Sequence, residues 1–122
     1  MVKQVVKRSG EIEAYDRTKI HDAIDKAFCA VCNGSPEEIK AKVEDLTVRV
    51  EALITEMMSG RHHHSIPAIE EIQDLVENAL IEVRETSVAK AYILYRARHE
   101  AMRDIKKLML DIDGTMDGYL KQ

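Results

Sequence analysis

The stretch VVKRSGEIEAYDRTKI, residues 5–20, decides how the rest of the chain is read. Ser9-Gly10 separates two short β-favouring runs and suits a tight turn that needs positive φ, so residues 2–8 and 11–15 predict an antiparallel β-hairpin. Asp16 then offers an N-cap, which places Lys19 in the first turn of a helix. Lys7, Arg8 and Lys19 are thereby gathered around one turn and one helix start. In a straight strand Lys7 and Arg8 point to opposite faces, so both reach one ligand only if the strand bends at Ser9-Gly10. A lysine in a first turn opposes the helix dipole unless an anion offsets it, and the free N–H groups there favour an anion. Local chemistry alone favours solvated cations on an edge hairpin, with an anion site as the alternative.

Working outward, Ile20, Ala23, Ile24, Ala27, Phe28 and Val31 recur at helical spacing until Asn33-Gly34. Ser35-Pro36-Glu37-Glu38 is a helix start with a cap, a first-turn proline and two acids at the positive end of the dipole. From it, Ile39, Val43, Leu46, Val50, Leu53 and Met57 alternate steps of four and three, the seam of a bundle helix ending at Ser59-Gly60. Residues 61–66 read as a third strand or a loop. Pro67 opens a third helix with Ile69, Ile72, Val76, Ala79, Leu80 and Val83. A fourth begins near Thr86 and carries Val88, Tyr92, Tyr95, Met102, Ile105 and Met109. Asp113-Gly114 reads as a breaker, with Thr115–Leu120 a last turn of helix or a linker. The expected fold is α+β and mostly α: a two- to three-stranded antiparallel hairpin on four helices, with one domain over residues 2–108 and a linker over 109–122.

Composition agrees. A 122-residue chain with 45% hydrophobic residues, one Phe and no Trp supports a single aliphatic core, which suits helix packing better than a sandwich. A net charge of −4 argues against general nucleic-acid binding, which needs a concentrated basic surface. Residues 1–19 nevertheless carry a local excess of two positive charges. No apolar run reaches the roughly 18 residues of a membrane span, and no signal peptide follows Met1, so a soluble, cytoplasmic chain is expected.

The order V-x-K-R-x-G, an acid, then D-x-x-K-I and an amphipathic helix resembles the N-terminal signature of the ATP-cone, the allosteric nucleotide-binding domain of many ribonucleotide reductases. The resemblance continues through Glu70-Glu71-Ile72-Gln73-Asp74-Leu75-Val76-Glu77 and Ala89-Lys90-Ala91-Tyr92-Ile93-Leu94-Tyr95-Arg96, covering residues 2 to about 103. It implies a hairpin lid over a four-helix bundle that binds ATP or dATP with Mg2+, ATP activating and dATP inhibiting. It also implies that Lys7, Arg8 and Lys19 hold the triphosphate and that Glu13 positions the nucleoside. Val5 and Ile20 then line the adenine pocket, and Gln73, Tyr95, Arg96 and His99 add contacts from the helices. The implied partner is the catalytic part of a ribonucleotide reductase, with a homo-oligomer as one arrangement. Met116-Asp117-Gly118-Tyr119-Leu120-Lys121-Gln122 resembles the junction at which the anaerobic ribonucleoside-triphosphate reductase passes into its catalytic domain.

Other classes make different demands. Cys29 and Cys32 with His62-His63-His64 offer four zinc ligands in principle. The cysteines sit inside a helix without a second CxxC, so buried free thiols and a solvated histidine run are expected, and no metal site. Tyr92, Arg96, His99 and Arg103 form either a polar helix edge or a site face. A related cone-bearing repressor places a zinc ribbon with two CxxC pairs before its cone, whereas here the cone pattern begins at residue 2. A purely structural helix-bundle adaptor would bind no nucleotide. The sequence holds no arrangement that reads as a nucleophile, a general-base dyad or a GxxxxGK loop, so no catalytic residue is assigned and hydrolysis of a bound nucleotide is not expected.

Overall fold

The computed structural model describes residues 2–31, 34–62 and 64–120, with side chains through Met109. In chain order it contains β1 (Gln4–Val6), β2 (Ile12–Ala14), α1 (Arg17–Val31), α2 (Pro36–Ser59), α3 (Ile69–Glu82) and α4 (Thr86–Leu120). Two compact units are present, Met1–Tyr92 and Ile93–Gln122. Among the described residues no helix is long and apolar enough to cross a membrane.

The hairpin pairs Gln4 with Ala14, Val5 with Glu13 and Val6 with Ile12, antiparallel. Its strands are shorter than the expected runs because the loop is longer than a two-residue turn. The Gly10 N–H donates to Lys7 O at 2.9 Å, the Lys7 N–H donates to Glu11 O at 2.7 Å, and Gly10 takes φ +90°. That is a three-residue loop, Arg8-Ser9-Gly10, with the glycine supplying the positive φ that lets the strands rejoin. Residues 61–66 contribute no strand among those described. The contact is farther along, where the Val6 N–H donates to Pro67 O at 2.9 Å and Val6 makes an isolated parallel bridge to Ala68. The outer edge of β1 is thus tied to the lead-in of α3.

One core fills the first unit. Val5, Ile24, Phe28, Val43, Val50, Ile54, Ile72, Val76, Leu80, Val88 and Tyr92 are buried together, so the hairpin, three helices and the first turns of α4 share it. On α2 the buried set is Ile39, Val43, Leu46, Thr47, Val50 and Ile54, with Leu53 and Met57 half-buried. The expected heptad seam fails after Val50 because a helix at 3.6 residues per turn drifts about 20° per heptad from a 3.5-residue repeat. Thr47 enters the core only because its Oγ1 donates to Val43 O at 2.7 Å.

The helix ends follow local chemistry. Ser35 Oγ accepts from the Glu38 N–H at 3.2 Å, with Pro36 next in line. The end of α3 carries a Schellman motif, the Glu85 N–H donating to Leu80 O and the Arg84 N–H to Ile81 O. Arg84 therefore sits at φ 62°, the one non-glycine residue with positive φ among those described. Arg84 is exposed, so Arg84→Gly relieves the Cβ clash without opening a cavity. The expected gain is about 0.5–1 kcal/mol, read as a higher urea midpoint at unchanged m-value.

In the second unit α4 runs on through Asp113-Gly114 to Leu120, so these residues do not break the helix. Met102, Ile105 and Met109, apolar residues of the expected fourth helix, are exposed, because within residues 93–120 a lone helix has no second element to cover them.

Candidate nucleotide site

Strand parity puts Val5 and its cross-strand partner Glu13 on the same face of the hairpin. Val5 and Ile20 are buried at 4% and 8% exposure, giving an apolar floor. Above it, the half-buried Glu13 draws in two lysines from different elements: Lys7 Nζ lies 3.9 Å from Oε2 and Lys19 Nζ 3.2 Å from Oε1. The helix carrying Lys19 is started by Asp16, whose Oδ1 accepts from the Thr18 hydroxyl at 2.6 Å and the Thr18 N–H at 3.0 Å. Those bonds, the hydroxyl first, hold the Asp16 carboxyl below its usual range. Arg8, at the hairpin tip, turns to α3 instead, its Nε 3.2 Å from Glu70 Oε1. The loop thus sends the neighbours Lys7 and Arg8 to different carboxylates.

Gln73, one turn into α3, carries a buried Oε1 with no hydrogen-bond partner among the described residues. An unpaired buried carbonyl costs about 1–3 kcal/mol, so a ligand N–H or O–H donor placed there would recover it. Tyr95 and His99 stack at 4.1 Å between ring centroids, tilted by 41°, on the second unit, as neighbours one turn apart. Arg96, beside Tyr95 in the same unit, is half-buried.

Two features escaped the sequence reading. Arg17 donates from Nε to Glu51 at 2.8 Å and from Nη2 to Glu44 at 2.5 Å, while the Tyr15 hydroxyl donates to Glu51 at 2.9 Å. Burial first, and the bond to Glu51 next, push the Tyr15 hydroxyl pKa up, and Arg17 holds the Glu44 carboxyl down. This network fastens the root of the hairpin and the start of α1 to α2. The other is the Arg8–Glu70 pair. The signal for the first was two acids a heptad apart, Glu44 and Glu51, facing an arginine far away in sequence, which no local pattern joins.

Beside the site, Glu71 accepts from both guanidinium ends of Arg61 and, at 3.1 Å, from the Ala68 N–H. Arg61 chiefly, then Ala68, hold its pKa at about 2 against an ordinary 4.5. A depressed carboxylate contributes stability that is full above pH 4.5 and lost as pH falls through about 2. In Glu71→Gln the acid-unfolding curve should be flatter than wild type between those limits, as read by circular dichroism.

Among the described residues no cluster of three or more His, Cys, Asp or Glu side chains is placed to hold an ion. Cys29 is exposed rather than buried, because it lies off the face formed by Ile24, Ala27 and Phe28. Cys32 and His63 lie outside the described residues.

Residues 3–101 match the ATP cone domain family. The chain is 35% identical over 114 residues to the vitamin B12-dependent ribonucleoside-diphosphate reductase of Thermoplasma acidophilum, covering 89% of this chain and 13% of that protein. It is 38% identical over 93 residues to the ribonucleoside-diphosphate reductase subunit alpha of Treponema pallidum, covering 75% of this chain and 10% of that subunit. The Chlamydia trachomatis subunit alpha is 35% identical over 103 residues, again with 10% of its length covered. The chain therefore spans only a small part of the length of these relatives. With the family matched over residues 3–101, and the hairpin and four helices in order, this chain belongs to the ATP-cone family.

Proposed function

We propose that the chain is the allosteric adenine-nucleotide site of a ribonucleotide reductase. The observation that carries this is the gathering of Lys7 and Lys19, from a strand end and a helix start, at the half-buried Glu13 over the apolar pair Val5 and Ile20. A triphosphate needs cations from separate elements, and an adenine ring needs an apolar floor. Lys7, Lys19 and Arg8 take the phosphates, each leaving its carboxylate, and Glu13 turns toward the ribose. Gln73 Oε1 accepts from a ribose hydroxyl or the base amine. By the family resemblance, Tyr95, Arg96 and His99 of the second unit are read as further nucleotide-binding residues. Mg2+ fits as a counter-ion carried by the phosphates, its usual mode of binding.

A site that hydrogen-bonds one ribose hydroxyl separates ATP from dATP, and each ligand shifts the parent enzyme only as far as its affinities for two states differ. In this reading ATP holds the permissive state and dATP the blocked one. The partner is the catalytic part of the reductase. Its assignment as a ribonucleoside-triphosphate enzyme draws on residues 116–122, whereas the matched relatives are named for diphosphates; turnover of both substrates by the full-length enzyme decides between them.

The test is calorimetric titration of ATP and dATP into the folded chain. Saturable heat from either supports the proposal, and a tenfold difference between them corresponds to about 1.4 kcal/mol. No heat from either on well-folded protein overturns it.

A further inference from the structure

The hairpin tip and the first turn of α3 hold each other through Arg8 and Glu70, with Nε to Oε1 at 3.2 Å. Two acids start that helix, and they are committed differently. Glu71 is fixed by Arg61 and the Ala68 N–H, as described above. Glu70 is 53% exposed and turned to Arg8, whose own side chain is only 26% exposed. Its carboxylate stands at a helix N-terminus beside a guanidinium, a combination that also suits a phosphate oxygen.

We propose that Glu70 is a built-in competitor for the nucleotide. Without ligand its carboxylate occupies Arg8, and a polyphosphate reaching Arg8 must displace it. The inference rests on the nucleotide-site reading above. A phosphate wins the exchange because it brings more charge and accepts the guanidinium fork bidentately. The displaced pair is nevertheless a fixed cost, subtracted from the affinity of every ligand that engages Arg8 and from no other. Glu70 thereby moves the working range of the site to higher nucleotide concentration, where a sensor of an abundant metabolite has to respond. Glu13 differs in kind, since it lies between two lysines and beside the apolar floor.

The experiment is a double-mutant cycle by calorimetry with ATP on wild type, Glu70→Gln, Arg8→Ala and the double variant. Both side chains are surface-placed, so all four proteins should fold, which circular dichroism checks. Glu70→Gln should bind ATP about 2- to 5-fold more tightly, the range an exposed ion pair spans. In the Arg8→Ala background the same change should give no gain. Unchanged or weaker binding by Glu70→Gln, with wild type binding normally, overturns this inference and leaves the site reading standing. A gain that persists without Arg8 also overturns it, because the effect would then be general charge. Failure of the wild type to bind ATP overturns both.

Discussion

Alanine at both Lys7 and Lys19 should weaken ATP binding at least about 100-fold. Each lysine offers a charge-assisted hydrogen bond worth about 1.5–3 kcal/mol, so losing two exceeds the 2.7 kcal/mol that separates affinities by that factor. The variant does more than remove attraction. Glu13, now without either lysine, would leave a carboxylate facing the phosphates. Adding Glu13→Gln to the double variant should return part of the loss, by calorimetry at matched salt. Full affinity in Lys7→Ala/Lys19→Ala would remove the phosphates from this corner of the fold. Stability should barely move, since the two lysine side chains are 46% and 61% exposed and such pairs contribute about 0–1 kcal/mol.

Phe28→Ala should have the opposite signature, with a large loss of stability. Phe28 is fully buried, the one phenylalanine of the chain, amid a core otherwise built mainly of aliphatic side chains. Its truncation costs about 3–5 kcal/mol, counting transfer and cavity, a large share of the 5–15 kcal/mol that holds a domain together. The expected observation is a urea midpoint lowered by about 1–3 M at unchanged m-value. Phe28→Leu should lose much less, since volume is largely kept. An alanine variant within 1 kcal/mol of wild type would mean that the core closes over the gap.

Much of this fold is written in short-range chemistry. Ser35-Pro36 and Ser9-Gly10 act through their own backbone neighbours, and so each appeared where the residues said it would. The approach of Lys7 to Lys19 at Glu13 follows from the same turn and cap, whereas Arg8, read with them, parts from the pair at the tip. What was not legible depends on where distant pieces dock. Residues 61–66 read as a third strand or a loop and Pro67 as a helix start, yet it is Pro67-Ala68, ahead of α3, that β1 meets. Glu70 reads as a dipole-favoured acid, and its engagement with Arg8 follows only from that docking. Cys29 looked like a core thiol until the pitch of α1 placed Ala27 and Phe28 inward. On α2 the drift from a heptad to the true helical repeat exchanged Leu53 for Ile54 over one turn.

The Tyr15–Glu51–Arg17–Glu44 network makes the hairpin a cantilever. Its root is clamped to α2 by part-buried and bidentate bonds, in line with the start of α1, while its tip reaches α3 through the Arg8–Glu70 ion pair. A load at the tip therefore cannot slide the beam along α2. It is converted into bending about the clamp, and the member that feels the deflection first is α3, through the strap from Val6 to Pro67.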